Sequence, residues 1–476
     1  MTMEQDKITR FAWMTLIILS CLGLITMYAE TMILPAIPDF IKDFKINYNT
    51  SSWILSSYLI AGAVATPIVG KLSDVYGKKK MLLVIMVVYS FGLLVGGFAN
   101  SFMVMLVARI SQGIGISMFP IAFGIIRDVL PEKKLAIGQT LFSSTFSGGA
   151  VIGLLAGANI IQNYGWHATF FSILPVAIIL AFVIFRFIHI KALVELETSS
   201  TKAPKVSIDL IGALLLAVTV TAFLIGISFL EHNDSTAFEY VGLFAVAAVS
   251  LGLFILAEKR AKFPLIDLNL ITNMKLLPAI LILLIVGLCT FMVYQTMPIL
   301  IRSPTPLGFG GDATVVANVQ LPFMIILLVG TVFSGFILNK VGNTRLTAIG
   351  TIVSTIGFVS LLFFHSTEFM IALTLSIISA GLSLAFVGGF NIVLLSSPIQ
   401  FTGVALGMTL LLNLVGQSIG PSLAAMFQQT NQETINGIAG SYPSPAAYGL
   451  IFLAATLISL TAVVLSIVSH KRKVLI

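Results

Sequence analysis

Gly70-Lys-Leu-Ser-Asp-Val-Tyr-Gly77-Lys-Lys-Lys80 is a short polar insert between two long apolar runs, 52–70 and 81–99. Two glycines, one acid and a basic cluster in so little chain read as a tight loop, too short for a domain. The same outline returns 265 residues later as Gly335-Phe-Ile-Leu-Asn-Lys-Val-Gly342-Asn-Thr-Arg345. A second pair has nearly the same offset. Gly149 and Gly153, followed by Gly157, are echoed 267 residues on by Gly416 and Gly420, followed by Pro421. Two independent motif pairs with nearly one offset indicate an internal duplication.

The rest of the chain sets the medium in which that duplication sits. Of 476 residues 58% are hydrophobic and 9% charged, against about 25% charged in soluble domains. This excludes an ordinary soluble enzyme. A membrane helix needs about 20 mostly apolar residues. Division at charged or Pro/Gly/Asn-rich breaks gives fourteen such runs: 11–37, 52–70, 81–99, 102–126, 137–160, 167–189, 209–230, 239–257, 276–300, 314–338, 346–364, 369–396, 403–427 and 447–469. The first run exceeds a signal-peptide core, so an uncleaved span is expected. An even count places both termini on one side. That side collects 22 of the 26 Lys and Arg residues, whereas the other holds Lys42, Lys45 and Arg302, and Arg109 stays within a span. The positive-inside rule then predicts cytoplasmic termini. The formal charge of +7 is scattered over short loops, which gives no basic face for nucleic acid. Cys21 and Cys289 both lie in apolar runs, so neither a disulfide framework nor a cysteine metal site is supported.

Six spans precede residue 190 and six follow 276, with a pair between them. The expected fold is therefore an all-α polytopic membrane protein with fourteen transmembrane helices. It comprises a six-helix bundle over 1–190, a linker with two added helices over 191–275, and a second six-helix bundle over 276–476. Transporters are often built from two such related halves. The loop from Gly70 to Lys80 resembles the signature of the major facilitator superfamily, with Val75 departing from it. Arg109-xx-Gln112-Gly113-x-Gly115 resembles the proton-transfer motif of its fourteen-helix drug:proton antiporter branch. Gly149 to Gly157 is similar to an antiporter motif, although Leu154 stands where the family usually has proline. Trp166-xxx-Phe170-xxxx-Pro175, Asp209-xx-Gly212 and Pro264-Leu-Ile-Asp267 also resemble that branch.

Deep charges are the first candidates for chemistry, since an ionised group at membrane depth costs several kcal/mol unless paired, wet or neutralised. Glu30 in the first span and Arg109 in the fourth are the clearest. Glu30 is either a carboxyl that exchanges a proton for a cationic substrate or one that meets water near the outer leaflet. Tyr28-Ala-Glu30-Thr-Met-Ile-Leu-Pro35 resembles the family's first-helix motif, whose acid is linked to proton coupling or cation recognition. Arg109 cannot realistically deprotonate, so it either biases a carboxylate and organises Gln112 or anchors structure. Their direct contact is not readable from sequence. The resemblance implies a cytoplasmic gate at Gly70, Asp74, Gly77 and Lys78, with Arg127 as a partner for Asp74. Its repeat is Gly335, Asn339 and Gly342, without the acid. Gly149, Gly153, Gly157, Gly416, Gly420 and Pro421 serve gating or helix packing alone. Tyr28, Tyr294, Gln295, Asn318, Gln320, Asn391, Asn413 and Gln417 are polar residues that line a cavity or bond helices together.

The resemblance implies proton-driven efflux of lipophilic or cationic small molecules by alternating access at the cell membrane. The alternative is a proton-coupled symporter or facilitator of a small metabolite, favoured by Leu154. No nucleophile with a base, metal cluster or phosphate-binding loop argues for an enzyme or for direct ATP drive. The expected partners are the lipid bilayer, a small-molecule substrate and protons. No cofactor is called for, and one copy of the chain is expected to suffice.

Overall fold

Backbone amides cannot stay unpaired in lipid, so apolar runs of this length must coil into helices. They do so in a computed structural model that describes residues 8–131, 134–188, 210–229, 237–261, 276–396 and 402–471. Some side chains within these segments, those of Asp74 and Asn339 among them, lie outside the described set. The helices are α1 (Arg10–Thr31), α2 (Ile37–Phe44), α3 (Tyr48–Tyr76), α4 (Lys78–Gly97), α5 (Phe102–Ile114), α6 (Met118–Val129), α7 (Leu135–Tyr164) and α8 (His167–Phe187). They continue as α9 (Leu210–Phe229), α10 (Ala237–Arg260), α11 (Leu277–Arg302), α12 (Ala313–Val341), α13 (Asn343–Phe363), α14 (Glu368–Ser396), α15 (Thr402–Thr430) and α16 (Pro445–Lys471). Among the described residues thirteen helical segments are long and apolar enough to cross a membrane. The shorter apolar stretch Ile211–Gly226 of α9 stands where the seventh span is expected. Ile178, Ile179, Phe182 and Phe185 on α8 are all more than half exposed, as a lipid-facing surface requires.

Two boundaries differ from the sequence reading. The expected loop after Gly70 is helical as far as Tyr76, and the turn narrows to Gly77 alone. Its φ of +94° suits glycine, and hydrogen bonds from Gly77 N to Ser73 O at 3.0 Å and from Met81 N to Gly77 O at 3.1 Å pass the chain directly into α4. Gly342 makes the same turn between α12 and α13 at φ +82°. The first and fourth spans are not single helices. Pro35 occupies a 3-10 turn, Leu34–Ala36, between α1 and α2, and a second 3-10 turn, Gly115–Ser117, separates α5 from α6. Proline lacks the amide that would continue the α-helical ladder.

The repeat is visible in how helices meet. Gly149, Gly153 and Gly157 on α7 lie so close to the backbone of α1 at Leu24 and Tyr28 and of its C-cap Met32 that a Cβ on any of them would collide with it. Gly416 and Gly420 on α15 do the same against α11 at Leu284 and Leu288. Small residues thus let two long helices approach backbone to backbone in each half. Between the halves, α3 packs on α15 and α7 on α12. The helices α9 and α10 pack on each other, and α9 also touches both α3 and α15, with Leu224 buried beside Ile60.

Candidate functional site

The Arg109 side chain crosses from α5 to α3, where its Nε donates to the Ile54 carbonyl at 2.9 Å. Its Nη1 donates to Gln112 Oε1 at 2.8 Å, and Gln112 Nε2 in turn donates to the Gly92 carbonyl of α4 at 3.1 Å. One chain of donors therefore ties α3, α5 and α4 together. The guanidinium carbon lies 4.3 Å from the centroid of the Tyr58 ring, within cation–π range. Gly113 completes the contact. A Cβ there would strike the Tyr58 carbonyl, so its absence lets α3 lie against α5 at the turn that carries Tyr58.

Glu30, on the last turns of α1, is buried. It interacts electrostatically with Arg109 and with the Tyr58 hydroxyl, and Tyr294 of α11 faces it from the second half. Tyr89 of α4 also faces Arg109, while its hydroxyl donates to the Ile25 carbonyl at 3.1 Å. The carboxyl and the guanidinium, whose contact the sequence left open, thus interact within one buried group that includes Tyr58. The Arg109 Nη2 and the Tyr58 hydroxyl have no hydrogen-bond partner in ordinary geometry. Donors left open beside a carboxyl give the group room to rearrange when that carboxyl changes charge.

The candidate polar residues of the second half divide. Gln295 reaches the first half, donating from Nε2 to Ser51 Oγ at 3.1 Å, and its Oε1 is buried without a partner. Gln320 is buried with both amide atoms unpartnered. The Tyr294 hydroxyl lies 3.4 Å from Met324 Sδ. By contrast, Asn413 Nδ2 donates to the Leu283 carbonyl at 2.7 Å and Gln417 Nε2 to Asn413 Oδ1 at 2.8 Å, which joins α15 to α11. Asn391 bonds to its own helix at Val387, and Asn318 is exposed. Tyr28, in the first half, turns its hydroxyl to Ser172 Oγ of α8 at 3.4 Å.

Both halves meet tightly at one end. Arg302, the last residue of α11, pairs with both carboxylate oxygens of Asp39 at 2.5 and 2.7 Å and donates to the Pro35 carbonyl at 2.9 Å. Ser56 Oγ donates to the Ser418 carbonyl at 2.7 Å, Ser52 Oγ lies 3.4 Å from Ser422 Oγ, and the Tyr48 amide donates to Gln429 Oε1 at 3.2 Å. Arg10 and Lys471 lie at the other end, because α1 runs toward Asp39 and α16 begins beside Ser303. There, a side chain at Gly70, Gly335 or Gly342 would meet nothing within 4 Å. Lys78 pairs with Asp128 at 2.7 Å and also bonds the Gly124 carbonyl. The expected contact of Asp74 with Arg127 falls on a side chain outside the described residues; Arg127 itself is exposed.

Tyr58 was not singled out by the sequence reading. A tyrosine in an apolar run is ordinary, but the run Ser51-Ser-Trp-Ile-Leu-Ser-Ser-Tyr58 is dense in hydroxyls for a span. Ser52 and Ser56, four residues apart, form the stripe that meets α15.

Comparison with known proteins agrees with this architecture. A curated relative, multidrug resistance protein 3 of Bacillus subtilis (strain 168), is 26% identical over 434 residues, spanning 88% of this chain and 81% of the relative. The tetracenomycin C resistance and export protein of Streptomyces glaucescens is 24% identical, over 86% of this chain and 75% of its own. Among solved structures, the nucleoside transporter NupG superposes with a TM-score of 0.64 at 12% identity, covering 97% of this chain and all of its own. A D-xylose-proton symporter gives 0.62 at 14% identity, over 94% and 97%. The family model described as Major Facilitator Superfamily matches residues 19–421, and the chain belongs to that superfamily of membrane transporters.

Proposed function

We propose that the chain exports lipophilic or cationic small molecules in exchange for protons. It would work by alternating access in the cell membrane with both termini in the cytoplasm. The observation that carries this reading is the buried group of Glu30, Tyr58 and Arg109, faced by Tyr294 across the seam. A carboxyl in that position can hold either a proton or a cationic substrate but is costly to leave charged and uncompensated. The names of the two relatives, one for multidrug resistance and one for resistance and export, support a drug-like substrate.

In this reading the bundles 1–190 and 276–476 rock about the shared group, and the pair within 191–275 lies outside the path. The end sealed by Asp39 and Arg302 is extracellular, and the open space around Gly70 and Gly335 is the cytoplasmic mouth. Gly77 and Lys78 then belong to the cytoplasmic gate. One copy of the chain, lipid, substrate and protons complete the machine. The second reading is a symporter or facilitator of a small metabolite. It is favoured by α7, which runs unbroken through the buried Leu154 where the antiporter motif usually has proline.

Reconstituted vesicles with an imposed pH gradient separate the two. Antiport predicts that tetraphenylphosphonium or a neutral drug moves against the proton flow. Substrate movement only with the proton flow, or without regard to it, would favour the second reading.

A further inference from the structure

The Arg109 motif does more than place a positive charge. Its Nε holds the Ile54 carbonyl and its guanidinium covers the Tyr58 ring one turn further along α3. Gly113 admits the Tyr58 carbonyl itself. Two contacts from α5 therefore hold one tyrosine and a third holds its helix one turn earlier, and that tyrosine is fully buried, its hydroxyl without a hydrogen bond of ordinary geometry but interacting with Glu30. A hydroxyl with a carboxyl as its acceptor is held more strongly when that carboxyl is charged than when it is protonated.

We propose that Tyr58 is the positioning residue that transmits the protonation state of Glu30 to Arg109, and through Arg109 to the α3–α5 contact. This rests on the proton-coupled reading above. When Glu30 is ionised, the phenol donates to its carboxylate. When Glu30 is protonated that acceptor weakens, the hydroxyl turns away, and the ring shifts under the guanidinium. The proton leaves and returns at Glu30 with water, and none is transferred through Tyr58. Among the described residues the titratable groups that act on this carboxyl are Tyr58 from α3, Arg109 from α5 and Tyr294 from α11, with Tyr89 of α4 acting on Arg109.

The test uses the full-length protein in proteoliposomes, with tetraphenylphosphonium as probe. Wild type, Tyr58→Phe, Glu30→Gln and the double variant are compared. Phenylalanine keeps the ring under Arg109 and removes only the hydroxyl. Downhill probe exchange without a pH gradient reports folding and binding, and uphill transport across a range of pH reports coupling. Tyr58→Phe is expected to lose uphill transport severalfold relative to its own downhill exchange, and to have its pH profile displaced by about one unit, the scale of one hydrogen bond to a charged group. In the double variant the Tyr58 change should add nothing to the loss caused by Glu30→Gln, since both act on one step. Uphill transport and a pH profile like wild type in Tyr58→Phe would overturn the role of Tyr58 while leaving proton coupling standing. Loss of downhill exchange in that variant would also overturn it, by showing the hydroxyl to be needed for binding or folding. Wild-type protein that exchanges the probe but ignores the gradient would overturn the coupling reading and this role with it.

Discussion

At the scale of single residues, charge decides where the two halves are held together. Arg302 gives Asp39 a bidentate ion pair and spends a further donor on the Pro35 carbonyl. Both side chains are only partly exposed, at 21% and 24%, so the pair is screened less than a surface one. Asp39→Asn is expected to loosen this end by about 1 kcal/mol. The check is maleimide labelling of a Ser52→Cys reporter, which should rise severalfold. The paired reversal of Asp39→Arg with Arg302→Asp should restore it, and labelling indifferent to all these changes would remove the pair from the gate. Arg302 was legible only as one of three basic residues on the outer side, because nothing in sequence names a partner 263 residues away. Glu30 and Arg109 were legible because charge is rare in an apolar run. Tyr58 was not, because its role comes from the guanidinium laid on its ring.

At the scale of elements, the bundle depends on helices touching through glycine. Gly153 on α7 and Gly416 on α15 each leave no space for a Cβ, whereas Gly148, next to Gly149, faces open space. Gly153→Leu and Gly416→Leu should each cost about 1–3 kcal/mol or more by overpacking, read as lower thermal stability in detergent with loss of transport. Gly148→Ala should change neither, and equal sensitivity at all three positions would contradict the packing account. The repeated spacing of these glycines was visible in the sequence, which left gating and packing both open for them. The helix ends were less visible, because Gly70 looks like a boundary while α3 continues to Tyr76. The short helix α2 was hidden for another reason: it rests on contacts distant in sequence. Trp166 packs edge-on against Phe40 and Phe44, and its Nε1 donates to Asp43 at 2.8 Å, which holds Asp39 in place for Arg302.

At the scale of the whole molecule, the long apolar runs made the helical membrane fold readable from the sequence. The conformational state was not readable, because it depends on which end of a seam between duplicated halves is closed. That seam runs through Ser52, Ser56, Ser418 and Ser422. A cysteine pair at Ser52 and Ser422 should, when oxidised, block transport and leave positions at the opposite end, around Gly70 and Gly335, open to labelling, with reductant reversing both. Transport that continues through the oxidised pair would mean that this end need not open. The central claim is that Glu30 exchanges protons for substrate, and it is tested most directly in acidified inside-out vesicles. Wild type and Glu30→Gln are challenged there with lipophilic cations and neutral drugs while lumenal pH is followed. The account predicts substrate-triggered proton release in wild type that disappears in Glu30→Gln, whereas release that persists in the variant would contradict it.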